Sequence, residues 1–261
     1  MISSSVMGMS GGGSKRSTGA LLMGLLGCVA LVGALAAKNH ASDVFTLKIW
    51  KLTIPMDDDG DLIADTVFQP TLQYFEDPDY FHLSSTGDSI VFRAPCGGVT
   101  TPNSSYPRTE LREMQLGGVE PASWGTDDGK VHNLTMTAAI NAIPKAKPHV
   151  VCAQIHDGKN DVLMVRLERE KLLIERNELE PVVLTTNYEL GTFFDIMIIA
   201  DHGRIRAFFE GTQIMVWPYE GEGLYFKAGC YVQSNPQRGD DPESYGEVEI
   251  QKLYVTHKPA K

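Results

Sequence analysis

Three short segments carry side chains suited to moving a proton beside a bound anion. In "YFKAGCYVQ" (225–233), a strand period of two sends Tyr225, Lys227, Gly229, Tyr231 and Gln233 to one side. Phe226, Ala228, Cys230 and Val232 go to the other, as a core face. In "RTELREM" (108–114), Arg108, Glu110 and Arg112 share a side, while Thr109 and Leu111 point away. In "VVCAQIHD" (150–157), Gln154 and His156 share a side with Cys152, and Val151, Ala153 and Ile155 point away. Each segment has a plainer explanation by itself. "RTELRE" suits a solvated helix face with salt bridges, a lone His on a strand is commonly structural, and a row of Tyr is usually packing. The set is what points to a site: cations with an amide suit a carboxylate ligand, and a His with a Tyr suits proton transfer.

Such residues converge only if strands hold them. Alternating segments run through the chain: "FTLKIWKLTI" (45–54), "SIVFRA" (89–94), "KVHNLTMTAAI" (130–140), "DVLMVRLE" (161–168), "KLLIE" (171–175), "FFDIMIIA" (193–200), "RIRAFFE" (204–210) and "EVEIQKLYV" (247–255). Turn signals such as Asp157-Gly158, Asp201-His202-Gly203 and Glu210-Gly211 separate them. "IMIIADHGRIRAFF" reads as a hairpin, and no helical period persists for twelve residues. The pattern predicts one all-β domain over 44–258, built as a two-sheet sandwich or jelly roll.

With 261 residues and 43% hydrophobic content the chain can bury a sizeable core. Its net charge of −10 argues against nucleic acid or an anionic membrane as a general partner, but leaves room for an anion in a locally basic groove. Residues 1–37 read as a secretory signal peptide: Lys15 and Arg16 precede an apolar run from Gly19 to Ala37 that ends in Ala34-Leu35-Ala36. A signal anchor in the membrane is the alternative reading of that run, and 38–43 is expected to be a short linker. Asn103-Ser104-Ser105 and Asn133-Leu134-Thr135 are glycosylation tripeptides compatible with a secreted product. Outside the leader, Cys96, Cys152 and Cys230 allow at most one internal disulfide. "DDDGD" (57–61) resembles a calcium loop with its glycine out of register, so a polar turn is expected there.

"RTELRE", "QIH" and "YFKAGCYVQ", in this order, resemble the three signature blocks of the alginate lyases of polysaccharide lyase family 7. "APCGGVTTPNSSYP" (94–107), "WKLTIP" (50–55) and "VEIQKLYVTH" (248–257) are also similar to that family. The resemblance implies a jelly-roll β-sandwich of two antiparallel sheets, with a concave sheet forming a groove for an anionic polysaccharide, alginate. It implies cleavage by β-elimination with neither metal nor organic cofactor; a monomer is expected, secreted on the reading of its leader. On matching positions it makes Arg108, Gln154, His156 and Tyr231 catalytic. It makes Glu110, Arg112, Lys227, Gln233 and Tyr225 substrate-binding or supporting residues. A lyase on another polyuronate such as glucuronan would need the same chemistry. A non-catalytic glycan-binding jelly roll would have no use for a His–Tyr pair opposite an Arg–Gln pair.

Overall fold

The structure is a computed structural model that describes Gly13, residues 38–177 and residues 179–260. Apart from Gly13, the expected leader lies outside the described residues. In chain order the strands are β1 Trp50–Thr53, β2 Thr66–Val67, β3 Phe81–Leu83, β4 Ile90–Pro95, β5 Arg108–Glu113, β6 Lys130–Ala142, β7 His149–His156 and β8 Asp161–Glu168. They continue as β9 Lys171–Arg176, β10 Leu179–Thr185, β11 Phe194–Asp201, β12 Arg204–Phe209, β13 Thr212–Pro218, β14 Tyr225–Val232 and β15 Tyr245–Pro259. They form two antiparallel sheets, as the sequence pattern predicts. One has eight strands in the order β10-β9-β8-β7-β14-β5-β1-β2; the other has seven in the order β13-β12-β11-β6-β15-β4-β3.

The core lies between the sheets, and it follows from the alternation. Leu111 of β5 and Phe226, Ala228, Cys230 and Val232 of β14 face Phe92 of β4, Met136 of β6 and Val248 of β15. Thr109 shares this inner side and donates its hydroxyl to the Arg93 carbonyl at 2.5 Å. "RTELRE" is therefore a strand and not a solvated helix. Its backbone is paired on both edges, with β14 and with β1. Packing starts before Val44: Ala41 is buried, and its amide donates to Glu76 Oε1 at 3.1 Å.

Two expectations change. Cys152 does not share a side with Gln154 and His156; it belongs to the core together with Ala153 and Ile155. The register between β7 and β8 shifts between Val151 and Ala153, so the period of two restarts there. This is a β-bulge, and it flips the parity of everything before it. The segment 45–54 is a strand only from Trp50, because the Trp50 amide turns back to the Leu47 carbonyl at 3.0 Å. Cys96, Cys152 and Cys230 are all free and buried. Asn103 is exposed, whereas Asn133 is half-buried within β6. "DDDGD" forms a turn in which Asp57 accepts from the Gly60 and Leu62 amides at 2.8 and 3.1 Å. No helix among the described residues is long and apolar enough to cross a membrane.

Candidate active site

β7, β14 and β5 are neighbours in the eight-stranded sheet, so the three polar-faced segments lie side by side. Tyr231 pairs with Arg108, and Gly229 with Glu110. Lys227 lies between Arg112 on β5 and Gln154 on β7, while Tyr225 pairs with His156. Directly opposed residues bring their side chains within roughly 5 Å on one face. Gly229 is required where it stands: its φ is 142°, and a Cβ there would meet the Thr109 carbonyl oxygen at 2.5 Å.

Glu110 is the hub of the arrangement. It is 1% exposed and accepts from Arg108 Nη1 at 3.1 Å and from Gln154 Nε2, while also pairing with Lys227 Nζ. Burial works to raise its pKa, but the charges of Lys227 and Arg108 outweigh this and hold the carboxyl below its ordinary value. Lys227 is also nearly buried. Loss of solvent outweighs its attraction to Glu110 and takes the ammonium down to about 8. A carboxylate with three donors is thus the internal anchor of a cationic cluster.

Arg108 is held from several directions. Its Nη2 donates to Ser104 Oγ at 2.9 Å, and its guanidinium carbon lies 3.8 Å from the Tyr231 ring centroid. Tyr231 itself is half-buried, with a cation against its ring face. His156 places Nδ1 at 2.5 Å from the Asp157 carbonyl oxygen. A carbonyl only accepts, so the neutral ring carries its proton on Nδ1 and leaves Nε2 as an acceptor. Burial lowers the His156 pKa, and the charge of Lys227 adds to this against the Asp157 hydrogen bond. The neutral, basic form is therefore the resting one near neutral pH.

Tyr225 is stacked on His156, with centroids 5.5 Å apart and planes at 21°, and its Oη lies 3.1 Å from His156 Nδ1. The Arg112 guanidinium carbon is 3.9 Å from the same tyrosine ring, and Arg112 Nη1 donates to the Glu113 carbonyl at 3.0 Å. Gln233 accepts from Arg166 Nη1 at 3.0 Å, which ties it to a pairing of Arg166 with Glu168 and Glu175. All nine residues singled out in the sequence thus lie on three adjoining strands or, for Gln233, immediately after one.

Several contributors were not singled out. Arg166 was legible, since Met164, Arg166 and Glu168 alternate with the core residues Leu163, Val165 and Leu167. Glu113 lies on the core side of β5, where its carboxylate accepts from the Phe226 amide at 2.8 Å and from Trp124 Nε1 at 3.0 Å. It fixes the β5–β14 pair beneath the site. Ser104 and Tyr106 are on the loop before β5, where no periodicity marks them. Among the described residues, the acidic group close enough to hold a cation is Asp57, Asp59 and Asp61, in the turn between β1 and β2, with ligand oxygens within 4.8 Å of one another.

Comparison with known proteins identifies the family. A family model described as alginate lyase matches residues 45–257. An alginate lyase from Klebsiella pneumoniae is 40% identical over 89 residues; the match covers 33% of this chain and spans 29% of that protein's length. Among solved structures, alginate lyase AlgAT5 from polysaccharide lyase family 7 is 43% identical, with a TM-score of 0.81, over 85% of this chain and 100% of that one. An alginate lyase from Corynebacterium sp. is 36% identical, with a TM-score of 0.80 and the same coverage of each chain. A match over nearly the whole described chain, on two sheets that set the signature segments side by side, places the protein in the alginate lyase family, polysaccharide lyase family 7.

Proposed function

We propose that this protein cleaves alginate by β-elimination, leaving a C4=C5 unsaturated uronate at the new non-reducing end. The observation that carries the proposal is Glu110, buried and bonded at once to Arg108, Lys227 and Gln154. This holds two cations and an amide in fixed positions beside His156 and Tyr231. Elimination removes the C5 proton next to a carboxylate that is already negative. Donors aimed at that carboxylate make the carbanion-like state accessible, and they act more strongly in a partly dehydrated site.

Arg108 and Gln154 fill that role with the N–H groups not already given to Glu110 and Ser104. In guluronate the C5 proton and O4 lie on opposite faces of the ring. His156 Nε2 then takes the proton while the Tyr231 hydroxyl protonates the departing O4. In mannuronate both lie on one face, and Tyr231 serves as base and then acid. The electron pair of the broken C5–H bond becomes the C4=C5 bond as the C4–O4 bond leaves. Tyr225, Arg112, Lys227 and Gln233 support the groove. A secreted protein, delivered by the leader at 1–37, fits a polymer too large to enter a cell.

Purified protein is tested in parallel on polymannuronate, polyguluronate and glucuronan, following ultraviolet absorbance from the new double bond. Absorbance should rise on one or both alginate blocks. Folded protein that gives no rise on either, or a rise on glucuronan alone, would overturn the assignment.

A further inference from the structure

The cationic row does not end at Tyr231. Past the end of β14, three loops meet around Tyr106. Its phenol oxygen accepts from Lys147 Nζ at 3.2 Å and from Arg238 Nε at 3.0 Å. Its ring centroid lies 6.4 Å from that of Tyr231. Neither cation is within 4.0 Å of a carboxylate among the described residues, unlike Arg108, Arg166 and Lys227. A chain of net charge −10 offers many carboxylates, so two cations turned onto one neutral oxygen are notable. Beside them is an open cleft of about 630 Å³, whose lining includes Thr100, Ser105, Asn235 and Gln237. This is within the usual size range of ligand pockets.

The three loops are fastened to one another. Asp240, 5% exposed, accepts the Lys145, Ala146 and Lys147 amides at 2.8, 2.9 and 3.0 Å and the Ser234 hydroxyl at 2.5 Å. Asn235 caps the turn Pro236–Arg238 and donates to the Ser105 carbonyl at 2.8 Å. The cations are therefore mounted on anchored backbone, the arrangement a binding site needs to hold its geometry without a ligand. Lys147 and Arg238, against the burial of the ring, also bring the Tyr106 pKa below its ordinary value, which marks the local potential as positive.

We propose that Lys147 and Arg238, bracketing Tyr106, form a second carboxylate-binding subsite that takes a uronate unit of the polymer next to the one being cleaved. Resting on the lyase function above, the subsite explains how an acidic protein grips a polyanion beyond the reaction centre. It is charge recognition: the ligand's carboxylate replaces the phenol oxygen, or joins it, as acceptor for the two cations.

The test separates binding from cleavage. Lys147→Gln, Arg238→Gln and the double variant are compared with wild type in equilibrium binding to alginate at low and moderate salt, with a neutral β-glucan as competitor. KM and kcat are measured on polymer and on a short oligomer. Arg238 is exposed and Lys147 half-exposed, so both variants should fold, and melting temperature checks this. The double variant should bind alginate about tenfold more weakly. It should show a shallower salt dependence and raise KM for polymer with kcat within about twofold. Arg238→Lys should recover part of the loss. Equal binding by wild type and double variant, an unchanged salt dependence, or displacement by the neutral glucan would overturn the subsite. A wild type that binds in this manner but does not cleave would overturn the lyase proposal and leave the subsite standing.

Discussion

Arg108 lies against the ring face of Tyr231, its guanidinium carbon 3.8 Å from the ring centroid. The two residues are also opposed across the β5–β14 ladder, so the contact is built into the register. Tyr231→Phe keeps the ring and its cation and removes only the hydroxyl. Melting temperature should hold, while kcat falls by about a hundredfold or more, the usual scale of a lost acid–base group. Near-normal turnover would remove Tyr231 from proton transfer. Arg108→Lys keeps the charge but loses the planar group that reaches Glu110, Ser104 and the Tyr231 face together, so kcat should fall strongly there as well.

Glu110 is the structural counterpart of those cations. Glu110→Gln preserves its shape but leaves Lys227 and Arg108 in a buried site without a compensating charge. Breaking a buried pair in this manner typically costs about 3–5 kcal/mol. Chemical denaturation of the variant should show a loss on that scale, with activity lost in protein that remains folded. A variant as stable as wild type would mean that water reaches the cluster and screens it.

Much of this site could be read from period-two alternation. The polar sides of "RTELREM" and "YFKAGCYVQ" are the ones the structure presents, because β5 runs unbroken along its length and β14 keeps its core parity through Gly229. Cys152 was misplaced because a bulge is a local backbone event, and Val, Cys and Ala in succession leave no change in hydropathy to reveal it. Residues 45–49 look like strand since Phe45 and Leu47 are both buried in alternation, yet a turn breaks the parity before Trp50. Ser104, Tyr106, Lys147 and Arg238 could not be found by any periodicity. They are on loops, and only the tertiary fold brings them together.

His156 should set the acid limb of activity. Its pKa lies below the ordinary 6.5 because burial and Lys227 disfavour the charged ring. The neutral base thus persists to lower pH than a free imidazole would, and kcat/KM on polyguluronate should fall only as pH drops through a value below 6.5. His156→Ala should impair polyguluronate cleavage more than polymannuronate cleavage, since one tyrosine can serve both steps on the latter. Equal losses on the two polymers would give His156 a shared role, such as orienting Tyr225 or tuning Tyr231.

Lys227 should set an alkaline limit. Burial brings its ammonium down to about 8, so the cation that holds Glu110 begins to lose its proton there and not near 10.5. Activity should decline above about pH 8. Lys227→Arg, whose charge does not titrate in this range, should move that decline upward even if its larger head lowers the maximum rate. A decline unchanged in position would assign the alkaline limb to another group.

Acid should destabilise the fold in two separable stages. Burial pushes His149 down to about 4 and also lowers His132 and His156, so these rings fold neutral. Their unfolded value is 6.5, and between that pH and the folded values the unfolded chain binds more protons. Stability is then fully present above pH 6.5 and is lost as pH falls through the folded values. The second stage belongs to carboxylates. Against its burial, Asp240 is taken down to about 2 by the Ala146 amide, the Ser234 hydroxyl and the Lys147 and Lys145 amides. Its contribution is present above the ordinary carboxylate value of 3.8 and fades as pH falls toward 2. Glu110, also lowered, acts with the same sign. Denaturation midpoints measured across pH 8 to 3 should fall continuously, starting below 6.5. His149→Gln should flatten the slope between 6.5 and 4 and leave the lower part unchanged, while Asp240→Asn should lower stability at neutral pH and flatten the lower part. A His149→Gln profile parallel to wild type between 6.5 and 4 would mean that His149 titrates alike in the folded and unfolded chains.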